Sequence, residues 1–140
     1  MDLSTALDWA GSRKHAALIT LRKDGRAQSS DIVYIIEDGV FLISLTESRA
    51  KTKNMRRDNR VVLHMSSPEE WSYLYFDGTV ELSEATTSVD DATNDALVSY
   101  FEKISGGPHS DWDEYRSAMV EEGRLIARFT PTSVVGQING

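Results

Sequence analysis

Two Asp-Gly pairs, Asp24–Gly25 and Asp38–Gly39, divide the stretch from His15 to Leu45 into three runs, HAALITL, RAQSSDIVYII and VFLISL. The runs are rich in apolar and β-branched residues, and Asp-Gly supplies the positive φ that a tight hairpin turn needs. The chain must therefore build on an antiparallel meander. RVVLHMS, WSYLYFDGTVELS and RLIARFTPTSVVG read as three further strands. The second is expected to bend at Asp77 and Gly78, where a glycine inside a strand marks a bulge.

Helical spacing interrupts these strands. Ser4 to Trp9 reads as a short helix with Ser4 as N-cap and Gly11 as its stop. After Leu45, Ser48 is placed to cap a helix running to about Arg57, ended by Asp58 and Asn59. Asp90 to Ile104 carries apolar residues at helical spacing until SGGPHS breaks it. Ser110 with Asp113 reads as a capping box for a last helix, Asp111 to Glu122, stopped by Gly123. About six mostly antiparallel strands with peripheral helices suggest a mainly β chain, a small barrel decorated by helices, in one domain over residues 1–140.

The second helix opens inside the run SRAKTKNMRRDNR, residues 48–60. This run holds six of the 15 basic residues, Arg49, Lys51, Lys53, Arg56, Arg57 and Arg60, and only Asp58 of the 22 acidic ones. A chain of net charge -7 repels nucleic acid and anionic membrane at long range. A small anion is the better match for a local positive patch. Helix N-termini favour anions, because their first amides lack intrahelical partners and the macrodipole is positive there. Cations in a first turn are unfavourable by a few tenths of a kcal/mol, so Arg49 and Lys51 make sense if an anion compensates them. Ser48 and Thr52 could add hydroxyl donors. A solvated Lys/Arg-rich helix remains the alternative reading of the same run.

With no cysteine there is no disulfide, thiolate metal site or thiol catalysis, and the composition fits a reducing compartment. MDLSTALDWAGSRKH has no apolar signal core, and no run of about 18 apolar residues occurs, so a cytoplasmic protein without a membrane segment is expected. His15, His64 and His109 lack carboxylate partners at metal-ligand spacing. No nucleophile elbow, phosphate-binding loop or dinucleotide fingerprint is found.

Four segments, DGRAQSSDIVY, ESRAKTKNMRRDNR, WSYLYFDGTVEL and HSDWDEYRSAMV, in this order and at these separations, resemble the split-barrel flavin and deazaflavin oxidoreductases related to pyridoxamine 5'-phosphate oxidase. The likeness runs from about Ala10 to Val135 and is strongest to the actinobacterial branch that uses coenzyme F420. The resemblance implies a six-stranded split β-barrel of the FMN-binding type. It also implies a homodimer with the cofactor in a groove to which both subunits contribute. Arg49 and Lys51 would hold the phosphate-bearing tail, with Ala50 and Thr52 adding backbone or hydroxyl contacts. Arg26, Gln28 and Ser30 on the second strand, Ser44 at the end of the third, and Trp71 match positions lining the cofactor groove. Asp31 stands where an asparagine is expected in the branch, so an amide donor is missing there.

A charge-assisted hydrogen bond nets roughly 1.5 to 3 kcal/mol, and micromolar binding needs about 8 kcal/mol. Two basic residues fall short, so apolar packing of a flat ring against the barrel must supply the rest. A flavin or deazaflavin carries its own redox chemistry, which accounts for the missing catalytic motifs. With F420 the chain would be a reductase donating hydride to a small-molecule acceptor. Tyr73 is the first candidate proton donor and His109 the second. Two other readings stay open: an FMN-dependent oxidase or reductase on the same barrel, and a cofactor carrier without turnover.

Overall fold

The computed structural model describes residues 1–139. Seven strands, β1 (His15–Leu21), β2 (Ala27–Val33), β3 (Ile35–Glu37), β4 (Val40–Thr46), β5 (Arg60–Ser67), β6 (Ser72–Leu82) and β7 (Arg124–Gln137), form one antiparallel sheet in the order β2-β1-β5-β6-β7-β4-β3. Both Asp-Gly pairs lie in turns. Asp38 and Gly39 have φ of 52° and 78°, the double positive φ of a type I′ hairpin, and Gly25 has φ of 89°.

The strand count exceeds the expected six because the run from Arg26 to Ile36 is broken at Tyr34. The meander is corrected accordingly: β2 pairs only with β1, and β3 only with β4. These two pieces of one continuous stretch lie on opposite edges of the sheet, so the sheet curls until its edges meet at Tyr34. That residue is fully buried. Its hydroxyl donates to the Ala10 carbonyl at 2.7 Å, its amide donates to the Lys14 carbonyl at 2.9 Å, and burial pushes its phenol up to about 12.

Inward residues of the curled sheet form the main core. Phe41 lies 5.0 Å from Tyr34, 5.1 Å from Phe76 and 5.7 Å from Phe129 between ring centroids, so three strands and the break at Tyr34 converge on one aromatic cluster. On β4 the alternation puts Phe41, Ile43 and Leu45 in this core, while Leu42 packs outward. The bulge expected in β6 is present, with its register shift between Asp77 and Gly78.

Four helices accompany the sheet: α1 (Leu3–Gly11), α2 (Ala50–Arg57), α3 (Ala92–Ser105) and α4 (Trp112–Glu122). Helix α2 packs on the barrel through Thr52, Asn54 and Met55, and the Asn54 amide donates to Thr20 Oγ1 at 3.1 Å and to Gln28 Oε1 at 2.9 Å. Helices α3 and α4 cover the outer side of β3, β4 and the start of β7 through a second core of Leu97, Tyr100, Met119 and Ile126.

Three expected caps are replaced by a neighbour. Asp2 rather than Ser4 caps α1, accepting from the Thr5 amide at 2.7 Å, and Gly11 is the last helical residue rather than the stop. Asp111 rather than Ser110 caps α4, accepting from Glu114. Ser48 does not cap α2; the N-cap is Arg49, whose side chain makes no capping bond. Carboxylates accept stronger bonds from amides than hydroxyls do, which favours aspartate where both residue types are available.

Helix α3 shows the strongest cap. The Asp91 carboxylate accepts from the amides of Asn94, Thr87 and Ser88 and from the Thr86 hydroxyl at 2.8 to 3.1 Å. Burial acts to raise its pKa, but the four donors together outweigh it and bring the carboxyl down to about 2 from 3.8. A lowered folded-state pKa gives stability that is complete above the unfolded value and is lost as pH falls. Asp91→Ala is expected to cost about 1 to 2 kcal/mol at neutral pH. It should also flatten the loss of stability between about pH 4 and pH 2, read by urea unfolding across that range.

Candidate functional site

The six cations of residues 48–60 divide into two groups. Arg56 makes a two-pronged pair with Glu47 at 2.6 and 2.8 Å, Arg57 donates to the Leu21 carbonyl and Asn54 Oδ1, and Arg60 pairs with Asp58 at 2.7 Å. Arg49, Lys51 and Lys53 have no side-chain ion pair or hydrogen bond among the described residues. The second half of the run is structural, and the first half is free for a ligand.

Arg49 and Lys51 line a cavity of about 200 Å³ together with Ser44, Leu45, Thr46 and Arg124. β4 delivers Ser44 and Thr46, the entry to α2 delivers the two cations, and antiparallel register places Arg124 opposite Thr46. The turn is fixed by its backbone: Arg49 N–H donates to the Thr46 carbonyl at 3.2 Å and Glu47 N–H to the Gly123 carbonyl at 2.9 Å. The Thr52 hydroxyl donates to the Thr46 carbonyl at 2.7 Å, so its proton holds the turn. The Thr52 and Lys53 amides donate to the Arg49 carbonyl, while those of Ala50 and Lys51 lead the helix without an intrahelical acceptor.

The electrostatics would favour a bound anion. The Lys51 ammonium is held below the ordinary lysine pKa, first by burial and then by the charges of Arg49 and Arg124, with Asp31 pulling the other way. Three cations converge, and among the described residues only Arg124 has a carboxylate partner, Glu122 at 3.1 Å. An anion placed among them would restore the lost stabilisation of the Lys51 charge.

Arg124 was not among the candidates read from the sequence. Its only local signal is its position right after Gly123, at the first residue of a strand. Its role depends on the β4–β7 register, which joins segments far apart in the chain.

The remaining candidates lie elsewhere. Gln28 and Ser30 are half-buried on the inward face of β2; Gln28 holds Asn54, and the Ser30 hydroxyl is buried without a partner. Arg26 is exposed beside the β1–β2 turn. Trp71 is 80% exposed in a left-handed conformation with φ of 53°, its carbonyl receiving the side-chain amides of Gln137 and Asn139. It precedes β6 at the end opposite Arg124, a strand length of roughly 35 Å away, so one chain does not bring Trp71 to the pocket. Tyr73, 44% exposed, stacks on His64 with centroids 6.4 Å apart, also outside the pocket. His109 packs among Phe101, Trp112 and Tyr115 and accepts the Asp111 amide on Nδ1 at 2.8 Å, a contact that fixes the α3–α4 connection.

A curled antiparallel sheet whose two edges meet at one residue and part beside a pocket is a split β-barrel. The chain belongs to the pyridoxamine 5'-phosphate oxidase family, whose sequence model matches residues 6–135. Solved structures agree on the fold. The conserved hypothetical protein Rv2991 from Mycobacterium tuberculosis is 21% identical with a TM-score of 0.76, over 99% of this chain and 85% of that one. A protein described as an F420 reductase is 21% identical with a TM-score of 0.65, over 87% of this chain and 89% of that one. HutZ, a heme storage protein from Vibrio cholerae, is 15% identical with a TM-score of 0.69, over 100% and 96%. Among the described residues no helix is long and apolar enough to cross a membrane.

Proposed function

We propose that this protein is an F420-dependent oxidoreductase that binds coenzyme F420 and passes hydride from its reduced form to a small-molecule acceptor. The observation that carries the reading is the convergence of Arg49, Lys51 and Arg124 on one cavity with a single carboxylate partner among the described residues. This donor set suits a phosphate-bearing tail: two guanidinium forks, one mobile ammonium, the Ser44 hydroxyl and the leading amides of α2. When bound, the deazaflavin supplies two-electron hydride chemistry. The chain's residues then bind and orient it, and the inward face of β2 with Gln28 and Ser30 offers polar contacts beside the groove.

The protein acts as a cytoplasmic homodimer in this reading. Trp71, exposed just before β6 and far from its own pocket, would border the groove of a second copy. Tyr73, half-exposed near the start of β6 two residues after Trp71, is the proton donor to test first.

A fluorescence titration with coenzyme F420 and FMN side by side tests the assignment. F420 is expected to bind more tightly; equal or tighter FMN binding would move the protein to the flavin branch of the family. Turnover with a panel of acceptors separates an enzyme from a carrier.

The pH dependence has a defined sign. Lys51 is lowered in the free protein, and a bound anion raises it, so affinity is full at low pH and declines as pH rises through the Lys51 titration. Lys51→Arg, which stays charged, should bind with an affinity flat across the same alkaline range.

A further inference from the structure

The β3–β4 ladder ends at the pair Ile35 and Leu42. Continued in register, it would place Tyr34 opposite Ile43 and Val33 opposite Ser44, yet β2 and β4 run close together without pairing. The Tyr34 amide points at β1, donating to the Lys14 carbonyl. A trans peptide aims its N–H and C=O in opposite directions, so the Val33 carbonyl points away from β1 towards β4. There it meets the hydroxyl of Tyr100 from α3, which donates to it at 3.2 Å. The Tyr100 phenol also faces the Ser44 amide of β4, which acts to lower its pKa. A phenol thus stands where one rung of the ladder would be, and the cationic pocket begins at Ser44 on its far side.

We propose that Tyr100 is the wedge that splits this barrel, holding β2 and β4 apart at Val33 and Ser44 and so keeping the cationic pocket open to anions. Two facing strand edges left unpaired would zip together, because each buried, unmatched backbone group costs free energy. A hydroxyl that donates to the Val33 carbonyl can also accept from the amide facing it, so one group would serve both edges while keeping them separated. The ring is 8% exposed and packed with Leu97, Met119 and Ile126, so α3 sets the separation. Burial holds the Tyr100 phenol above its ordinary pKa, against the Ser44 amide and Arg124, and it remains a donor at neutral pH. Tyr100 is a positioning residue in this account. The wedge keeps the pocket open whichever coenzyme occupies it.

Nuclear magnetic resonance on the full chain tests the wedge in two ways: the scalar coupling across a hydrogen bond from the Ser44 amide nitrogen to the Val33 carbonyl carbon, and a titration with inorganic pyrophosphate followed at the Ser44 and Lys51 amides. The parent should show no direct Ser44–Val33 coupling and should bind pyrophosphate. In Tyr100→Ala the strands are expected to pair, so the coupling appears and pyrophosphate affinity falls by about tenfold or more. In Tyr100→Phe the ring still spaces the strands; affinity should stay within about threefold, while the Ser44 amide, facing a ring edge in place of a hydroxyl, exchanges with solvent about tenfold faster or more. An Ala variant that folds, lacks the coupling or binds pyrophosphate as the parent does would overturn the wedge. Should the Ala variant not fold, unchanged Ser44 exchange in the Phe variant would do the same. A parent that ignores pyrophosphate would count against the anion pocket itself, and the coupling would still decide the wedge.

Discussion

Arg49→Ala and Lys51→Ala are each expected to weaken coenzyme F420 binding by about tenfold or more, with no measurable loss of fold stability. Each removed side chain takes away a charge-assisted contact worth roughly 1.5 to 3 kcal/mol, and about 1.4 kcal/mol is a factor of ten. Stability should hold because neither side chain has a partner among the described residues. Removing Lys51 even relieves a charge that Arg49 and Arg124 disfavour. The control is Arg56→Ala, which breaks the pair with Glu47 and the bond to the Ser83 carbonyl and should lower stability while sparing affinity. With Arg124 as a third ligand, the gap left by two cations against the roughly 8 kcal/mol of micromolar binding narrows, leaving less for ring packing to supply. Titrations of the two single variants and of the double variant measure this directly. Parent-like affinity in both single variants would remove the pocket from the account.

Gly78→Ala is expected to be one of the two most damaging single-methyl changes in the sheet, the other being Gly136→Ala, whose Cβ would lie 2.3 Å from the Tyr73 carbonyl oxygen. An added Cβ would lie 2.3 Å from the Thr130 carbonyl oxygen and 2.8 Å from two carbons of the Phe129 ring. The backbone oxygen cannot rotate away, and Phe129 is fully buried against Phe41. The β6 bulge must open or the core must shift. A cost near 3 kcal/mol follows from overpacking, which corresponds to a drop in Tm of roughly 10 °C for a chain of this size. Gly107, whose Cβ would meet nothing within 4 Å, is the matched control. Gly107→Ala should stay within about 0.5 kcal/mol of the parent. Thermal unfolding of both variants tests the contrast, and a Gly78→Ala protein that melts with the parent would show that the bulge is soft.

Local chemistry was the part of the fold that the sequence revealed. The turns at Asp24–Gly25 and Asp38–Gly39 depend on a glycine's positive φ and the bulge at Gly78 on its missing side chain, both legible in the residue itself. The basic run likewise announced its charge. What stayed hidden depends on register and packing between distant segments. The break at Tyr34 comes from where its side chain is buried and which carbonyl its amide finds, so a run with strand composition throughout ends up on two edges. Arg124 joins the pocket only through pairing with Thr46, and Tyr100 reaches Val33 only because α3 docks beside Ser44. Composition also could not separate Arg49 and Lys51 from Arg56, Arg57 and Arg60, since all are cations on one short segment. The difference lies in whether a partner waits nearby, and those partners, Glu47, the Leu21 carbonyl and Asp58, are fixed by the fold.

The placement of an anionic coenzyme tail on the free cations at the start of α2 is tested most directly by a crystal structure of the protein grown with coenzyme F420. The expected result places the phosphate oxygens of the coenzyme within hydrogen-bonding distance of Arg49, Lys51 and Arg124. A tail lying along another surface, with those three side chains turned to solvent, would contradict it.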